Sequence, residues 1–352
     1  MTTKTKKIDM KSLTLEELTV EMDRLGEKAF RAKQLYSWMH EKLALGFEEM
    51  TNLSRQFRET LQEKYVYVTL EPVEVQTSHI DGTQKYLFRL PDGLVIESVL
   101  MRYRHGNSVC ISSQAGCRMG CRFCASTIGG LERSLRASEM LEQIYRIQKL
   151  SGERVSHVVV MGTGEPLDNY ENLLRFLGLL TGEGGLHISQ RNVTVSTCGI
   201  VPNILRLAQE GLQITLALSL HAATQEKRRE LMPIANKYQL SEVLSACEEY
   251  QKKTGRRMTF EYSLVGGVND SLEDVRQLAA IVKPLHGHVN LIPVNPVRER
   301  TFSQPEKKVV NDFKNNLENY GINVTIRREM GRDIDGACGQ LRKSYMEGRS
   351  QC

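Results

Sequence analysis

Gly116-Cys117-Arg118-Met119-Gly120-Cys121-Arg122-Phe123-Cys124 sets three cysteines at C-x3-C-x2-C spacing in one short loop, and the number three restricts what that loop can hold. A structural zinc takes four ligands in a closed shell, usually from two closely spaced pairs, and no second Cys or His pair at that spacing follows. A cubane 4Fe-4S cluster normally takes four thiolates, so three leave one iron open to a substrate or cofactor. The competing reading is a zinc knuckle whose fourth ligand lies far off in sequence. The added x3 spacing weighs against it. Gly116 and Gly120 let the backbone wrap closely round a cluster, and Phe123 puts an aromatic between the last two ligands, where it can shield them.

On either side of this loop, short β-branched runs alternate with helical patterns. The runs are Val109-Cys110-Ile111, Val158-Val159-Val160-Met161, Val193-Thr194-Val195-Ser196, Ile214-Thr215-Leu216-Ala217-Leu218, Met258-Thr259-Phe260-Glu261-Tyr262 and His288-Val289-Asn290-Leu291-Ile292. Such alternation predicts an α/β fold, an incomplete (β/α)6 barrel of parallel strands. Parallel barrels carry their chemistry on the loops after the strand C-termini. There lie the cysteine loop, Gly162-Thr163-Gly164-Glu165-Pro166, Ser196-Thr197, Ser219-Leu220-His221 and Pro293-Val294-Asn295-Pro296.

Upstream the periodicity differs. From Ser12 to about Tyr65 it is helical: Leu15, Leu18, Met22 and Leu25 follow a Thr14-x-x-Glu17 capping box, and Leu35, Trp38, Met39 and Leu43 come next. Residues 1–65 are thus expected to form a small helical domain. Its Lys28, Arg31 and Lys33 beside Phe30, Tyr36 and Trp38 suit either an RNA-contact surface or a solvated face over core aromatics. Over 66–105 the spacing becomes strand-like, with Lys85–Leu90 and Leu94–Leu100 flanking the turn Pro91-Asp92-Gly93, which predicts a β-hairpin extension. Residues 106–352 then make the barrel and a C-terminal loop.

Composition fits an intracellular enzyme. The 352 residues, 40% hydrophobic and 25% charged, suffice for one large domain and a smaller one. No apolar run reaches membrane-spanning length, and Met1-Thr2-Thr3-Lys4-Thr5-Lys6-Lys7 lacks the apolar segment of a signal peptide. A cytoplasmic location is expected, where eight cysteines point to metal binding or catalysis rather than disulfides. The formal charge of +5 permits a polyanionic partner without demanding one.

Taken alone, the glycine turn Gly162–Pro166 is a common feature, and a strand-end Ser, His or Asn is more often a satisfied structural group than a ligand. Beside a cluster loop, glycines that admit backbone groups to a ligand and a carboxylate, Glu165, gain meaning. Cys110 and Cys338 by default are small buried hydrophobes. Yet Asp333-Ile334-Asp335-Gly336-Ala337-Cys338-Gly339 is a loop with two glycines and two carboxylates, a poor setting for a core residue.

The cysteine loop resembles the signature of radical S-adenosylmethionine (SAM) enzymes, in which the amino and carboxylate groups of SAM chelate the open iron. The match narrows with Cys110-Ile111-Ser112-Ser113-Gln114-x-Gly116-Cys117, Gly164-Glu165-Pro166, Ser219-Leu220-His221, Leu231-Met232-Pro233-Ile234, Gly267-Val268-Asn269-Asp270 and Ala337-Cys338-Gly339-Gln340-Leu341. Over almost its whole length the chain resembles the RlmN and Cfr family of RNA adenine methyltransferases. The resemblance implies a radical SAM barrel, a 4Fe-4S cluster on Cys117, Cys121 and Cys124, and SAM contacts at Gly164, Glu165, Ser196, Ser219, Leu220, His221 and Asn295.

Adenine C2 is an electron-poor sp2 carbon with no nucleophilic lone pair, so polar attack on the SAM methyl group is closed and a radical must form the bond. The resemblance implies two SAM molecules per turnover. Cys338 takes a methyl from one. The second is cleaved reductively to a 5′-deoxyadenosyl radical that removes hydrogen from the S-methyl group, and the methylene radical adds to the ring. Protein and RNA are then joined until Cys110 forms a transient disulfide with Cys338 as the ring loses its proton, and external reduction resets the pair. Glu97 matches the implied proton acceptor, with an exposed strand carboxylate as the alternative. Cys198, Cys247 and Cys352 match no motif and read as structural or incidental.

The glycine motif and the basic N-terminus look more like the C2-methylating side of the family than the Cfr-type C8 side. Implied partners are 23S ribosomal RNA at the peptidyl-transferase centre, an adenine beside the tRNA anticodon, and an electron donor such as flavodoxin or ferredoxin. The chain is expected to be a monomer with no membrane association. A reading of another class, a zinc-stabilised RNA-binding module without catalysis, needs no Cys338.

Overall fold

A computed structural model describes residues 7–295 and 301–334, with Arg342 and Tyr345. Cys338, Cys352 and Pro296 lie outside the described residues.

The N-terminal segment runs β1 (Ile8–Asp9), α1 (Leu15–Arg24), α2 (Phe30–His40), α3 (Arg55–Lys64) and β2 (Tyr65–Val66), with β1 and β2 paired in parallel. The capping box forms: Thr14 Oγ1 accepts from the Glu17 amide at 3.2 Å, and Glu17 Oε2 accepts from the Thr14 amide at 2.9 Å, satisfying two otherwise orphaned donors of α1. Leu18, Met22, Leu35, Met39 and Leu43 are buried, as their three- and four-residue spacing requires.

This segment docks on α4 (Ala137–Ser151) through buried polar contacts. The ammonium of Lys11 pairs with Glu142 and also donates to the Val68 carbonyl at 2.9 Å. Ser138 Oγ donates to Asp9 Oδ2 at 2.5 Å, and His40 Nδ1 meets the Tyr145 hydroxyl at 2.8 Å. Burial pushes the Lys11 ammonium below its ordinary range, and Glu142 opposes that. Glu142→Leu would strand this cation away from water, and is expected to cost about 3–5 kcal/mol of unfolding free energy. A urea titration checks it; a loss below about 1 kcal/mol would show that Lys11 escapes to solvent.

The remaining strands are β3 (Glu71–Thr77), β4 (Gln84–Arg89), β5 (Val95–Tyr103), β6 (Gly106–Cys110), β7 (Gln114–Gly116), β8 (Leu131–Ser134), β9 (Val155–Val160), β10 (Val193–Thr197), β11 (Thr215–Ser219), β12 (Thr259–Leu264), β13 (His288–Pro293) and β14 (Asn323–Ile326). Ten form one sheet in the order β14-β13-β12-β11-β10-β9-β6-β5-β4-β3. Pairing is parallel from β14 through β6 and antiparallel from β6 to β3. Helices α5 (Tyr170–Thr181), α6 (Val201–Leu207), α7 (Gln225–Leu231), α8 (Leu240–Thr254), α9 (Leu272–Val282) and α10 (Lys307–Asn319) connect the parallel strands. Val158, Val160, Val193, Val195, Leu216, Leu218, Phe260, Tyr262, Val289 and Leu291, at alternate positions and so on one face of the sheet, are fully buried, whereas Val159, Thr194, Ser196 and Asn290 on the other face are only partly so.

The fold is the expected partial barrel, with two additions. A seventh parallel strand, β14, closes the far edge. Its four residues alternate between water and protein, too short a pattern to stand out in the sequence. At the near edge the β4–β5 hairpin, turned at Pro91-Asp92-Gly93 with Gly93 at φ +88°, gains β3 and continues the barrel sheet through β5 on β6. The hairpin therefore supplies wall to the barrel. The cysteine loop hangs between β7 and β8, which pair antiparallel, and the Cys117 amide donates to the Gly130 carbonyl at 2.9 Å.

Candidate active site

Two cavities open at the C-terminal end of the parallel strands. The smaller, about 250 Å³, is lined by Cys117, Cys121 and Cys124, and by Gly164, Glu165, Ser196, Ser219, His221 and Asn295. The larger, about 410 Å³, holds Cys110, Glu97 and Lys85. Met161, Gly162, Ile292, Asn295 and Arg327 belong to both, so the two spaces share one wall.

The turn after β9 lies against the stretch preceding the cysteine loop. The Gly162 amide donates to the Ile111 carbonyl at 2.9 Å, and a Cβ there would meet that oxygen at 2.6 Å. Gly164, at φ +110°, has room for no side chain either, because a Cβ would lie 2.6 Å from Gln114 Cβ. Glu165 is buried, and both carboxylate oxygens accept backbone amides, Oε1 from Leu167 at 3.0 Å and Oε2 from Cys198 at 2.8 Å. Burial raises its proton affinity and those amides lower it. Glu165 thus holds two strand-end loops together while still facing the cavity.

Ser196 and Ser219, on neighbouring strands, meet Oγ to Oγ at 3.2 Å. His221 is buried at φ +55°, its Nδ1 accepts from the Ser263 amide at 2.9 Å, and its proton therefore sits on Nε2. Burial pushes the imidazole down to about 3, so it stays neutral. Phe123 packs edge-on against it at 4.8 Å between ring centres, which ties the cysteine loop to the end of β11. Leu220 differs from its neighbours: its side chain is fully buried in the apolar core, and only its backbone, bonded to the Glu261 carbonyl at 3.0 Å, faces this end of the strands.

The donor set suits a polynuclear iron-sulfur group. Three thiols from one loop line a single cavity, and Gly116 makes the loop's tight entry possible, since a Cβ there would strike the Gly130 carbonyl at 2.1 Å. Burial raises the thiols of Cys117 and Cys121, the former to about 12; Cys124 raises both further, and Cys117 adds to the rise of Cys121. Thiolates crowded in such a place need cationic iron to offset that cost.

In the larger cavity, Glu97 and Lys85 form an ion pair at 2.7 Å, with side chains 4% and 1% exposed. This excludes the exposed-carboxylate reading of Glu97. Lys85 escaped the sequence reading, although it stands two residues from Leu87, the cross-strand partner of Glu97, and the period of two that puts it on the same face as Glu97 was a usable signal. Cys110 ends β6 as a buried thiol, raised by desolvation and eased by Arg327 and Lys85. Ile334, four residues before Cys338, lines this cavity, and Arg342, four residues after it, donates to the Val95 carbonyl at 2.7 Å.

The smaller cavity also contains residues that no motif flagged: Cys198, Glu261, Ser263 and Arg327. Cys198 is therefore a wall residue of the site rather than an incidental core thiol. Its place directly after β10 was the signal. Lys28, just before α2, and Lys33, on it, are exposed, whereas Arg31 is held by Gln34 at 2.8 Å and the Asn52 carbonyl at 3.3 Å. Tyr36 is buried and Trp38 Nε1 donates to Asn52 Oδ1 at 2.6 Å, so part of that face is structural.

Comparison with known proteins gives two family matches: the radical SAM superfamily over residues 111–279, and the ribosomal RNA large subunit methyltransferase N-terminal domain over residues 8–66. A probable dual-specificity RNA methyltransferase RlmN from Lachnospira eligens is 65% identical over 339 residues, covering 96% of this chain and 97% of the relative. One of the same description from Lachnoclostridium phytofermentans is 59% identical, covering 97% and 96%. The crystal structure of a radical SAM methyltransferase from Sphaerobacter thermophilus superposes with TM-score 0.91 at 41% identity, covering 95% of this chain and 98% of that one.

Proposed function

This chain belongs to the RlmN family of radical SAM RNA methyltransferases, and from that premise we propose that it methylates C2 of adenine in 23S ribosomal RNA and beside the tRNA anticodon. The observation that carries the reading is the shared wall: the cavity of the three cysteines opens beside the cavity of Cys110 and Glu97 across Met161, Gly162, Ile292, Asn295 and Arg327. A radical generated at one can reach a group presented in the other without crossing bulk water.

Cys117, Cys121 and Cys124 would hold a 4Fe-4S cluster, which with SAM bound supplies the 5′-deoxyadenosyl radical. Gly164, Glu165, Ser196, Ser219, His221 and Asn295 would seat SAM, and any contact from Leu220 would come from its backbone, because its side chain is buried in the core. Cys338 carries the methyl group that becomes the new methylene bridge to adenine. Ile334, four residues before Cys338, lines the cavity of Cys110 and Glu97, which supports this role. Glu97, fixed by Lys85, takes the ring proton, and the unpaired electron of the adduct would return to the cluster, restoring the one spent on SAM cleavage. The thiol of Cys110 then attacks the Cys338 sulfur: an S–S bond forms, the S–CH2 bond breaks, and its electron pair goes to the methylene carbon, which is protonated to the methyl product. External thiols reduce the disulfide. The electron donor is a flavodoxin or ferredoxin class protein, and the chain acts as a cytoplasmic monomer. Among the described residues no helix is long and apolar enough to cross a membrane.

The test is nucleoside mass spectrometry of ribosomal RNA and tRNA fragments after anaerobic turnover with SAM labelled in its methyl group. 2-Methyladenosine is expected from both RNAs. 8-Methyladenosine would overturn the regiochemistry, and Glu97→Gln at wild-type rate would remove Glu97 from the proton transfer.

A further inference from the structure

Arg228, on α7, is the largest fully buried side chain among the described residues. Its Nη2 donates to the Cys198 carbonyl at 2.7 Å and reaches that of Ser219 at 3.4 Å. Nε and Nη1 are buried with no hydrogen-bond partner among the described residues. The titratable groups that oppose its charge are all thiols: Cys198 on the cavity wall, Cys121 in the cysteine loop, and Cys247 on α8. Among the described residues no carboxylate forms an ion pair with it.

A guanidinium withdrawn from water without a counter-ion costs several kcal/mol even after relaxation, and a Leu or Met would fill the same space without that cost. The fold nevertheless fixes this cation against the cysteine loop. The Arg122 amide donates to the Leu231 carbonyl at the end of α7 at 2.9 Å. Leu231 and Met232 share an apolar cluster with Met119, Cys121 and Phe123. Guanidinium and loop are therefore parts of one packed block. A tri-thiolate cluster is the buried anion that would complete it, because three cysteinates outweigh the charge of a cubane core and each added electron makes the assembly more negative.

We propose that Arg228 is the built-in counter-charge of the iron-sulfur cluster, stabilising its reduced form and raising its reduction potential. This rests on the reading of Cys117, Cys121 and Cys124 as cluster ligands. The partly desolvated site strengthens the attraction over its value in water, and the charge acts on the electron-accepting step without touching SAM or RNA.

The test compares wild type, R228K and R228Q after anaerobic reconstitution, measuring iron and sulfide content, the midpoint potential by a mediated titration followed by electron paramagnetic resonance, and the thermal midpoint with and without the cluster. R228Q is expected to have a more negative potential than wild type, with R228K between them. Cluster loading should raise the thermal midpoint of R228Q less than that of wild type. Equal potentials in fully loaded wild type and R228Q would overturn the proposal, as would an equal loss of stability with and without the cluster. If R228Q does not fold, R228M takes its place. Failure of both as apoproteins would make the guanidinium a scaffold part and overturn the proposal. Wild type without iron would instead overturn the assignment of the three cysteines.

Discussion

Cys110→Ala is expected to accumulate protein bound covalently to RNA through Cys338, while Cys338→Ala neither takes up a methyl group nor crosslinks. The asymmetry follows from the separate work of the two sulfurs. Cys338 must receive the methyl group and make the carbon bond, whereas Cys110 acts only afterwards, and without it the S–CH2 bond has no sulfur nucleophile to break it. The setting of Cys110 agrees with a late role. It is a buried thiol at the end of β6, raised by desolvation, poorly suited to uncontrolled reaction yet lining the same cavity as Glu97. Denaturing electrophoresis before and after ribonuclease, with mass spectrometry of the Cys338 peptide, reads the result. Normal turnover of Cys110→Ala, or RNA on another cysteine, would assign the roles differently.

Replacing any one of Cys117, Cys121 and Cys124 with alanine should reduce reductive cleavage of SAM to background, and replacing two should do no further harm. Groups that act as one unit lose their function together, so their effects do not add. The loss should be accompanied by loss of the brown colour and of acid-labile sulfide. Chain folding, followed by far-ultraviolet circular dichroism, should remain, because the loop hangs between β7 and β8 outside the main apolar core. A single alanine variant that retains both iron and SAM cleavage would remove that cysteine from the ligand set. Stoichiometric zinc in place of iron in the wild-type protein would refute the cluster assignment.

The sequence alone determined the elements whose signals are local. The capping box at Thr14 and Glu17, the turn at Gly93, and the alternation of β-branched runs with helical patterns depend on neighbours a few residues apart, and the structure contains them. The three-cysteine loop was legible for the same reason: its ligands lie within eight consecutive residues, and the strand before it fixes where a parallel barrel keeps its chemistry. Resemblance added the adjoining motifs.

What the tertiary structure decided was long-range placement. β5 turns into β6 over only Arg104 and His105, but that this hairpin joins the barrel depends on β6 pairing in parallel with β9 some way along the chain, and the sheet so formed brings Lys85 and Glu97 beside Cys110. Leu220 and its neighbour His221 look alike as motif members, yet the chain turns one side chain into the core and the other toward the cavity. Cys198 and Arg228 carried no motif, because their meaning comes from packing: one thiol drawn into the cavity wall, and one guanidinium buried 107 positions after Cys121 in the chain yet set against it in space. Periodicity reports which face of an element is apolar, but only the folded chain determines which distant charges must share a space without water.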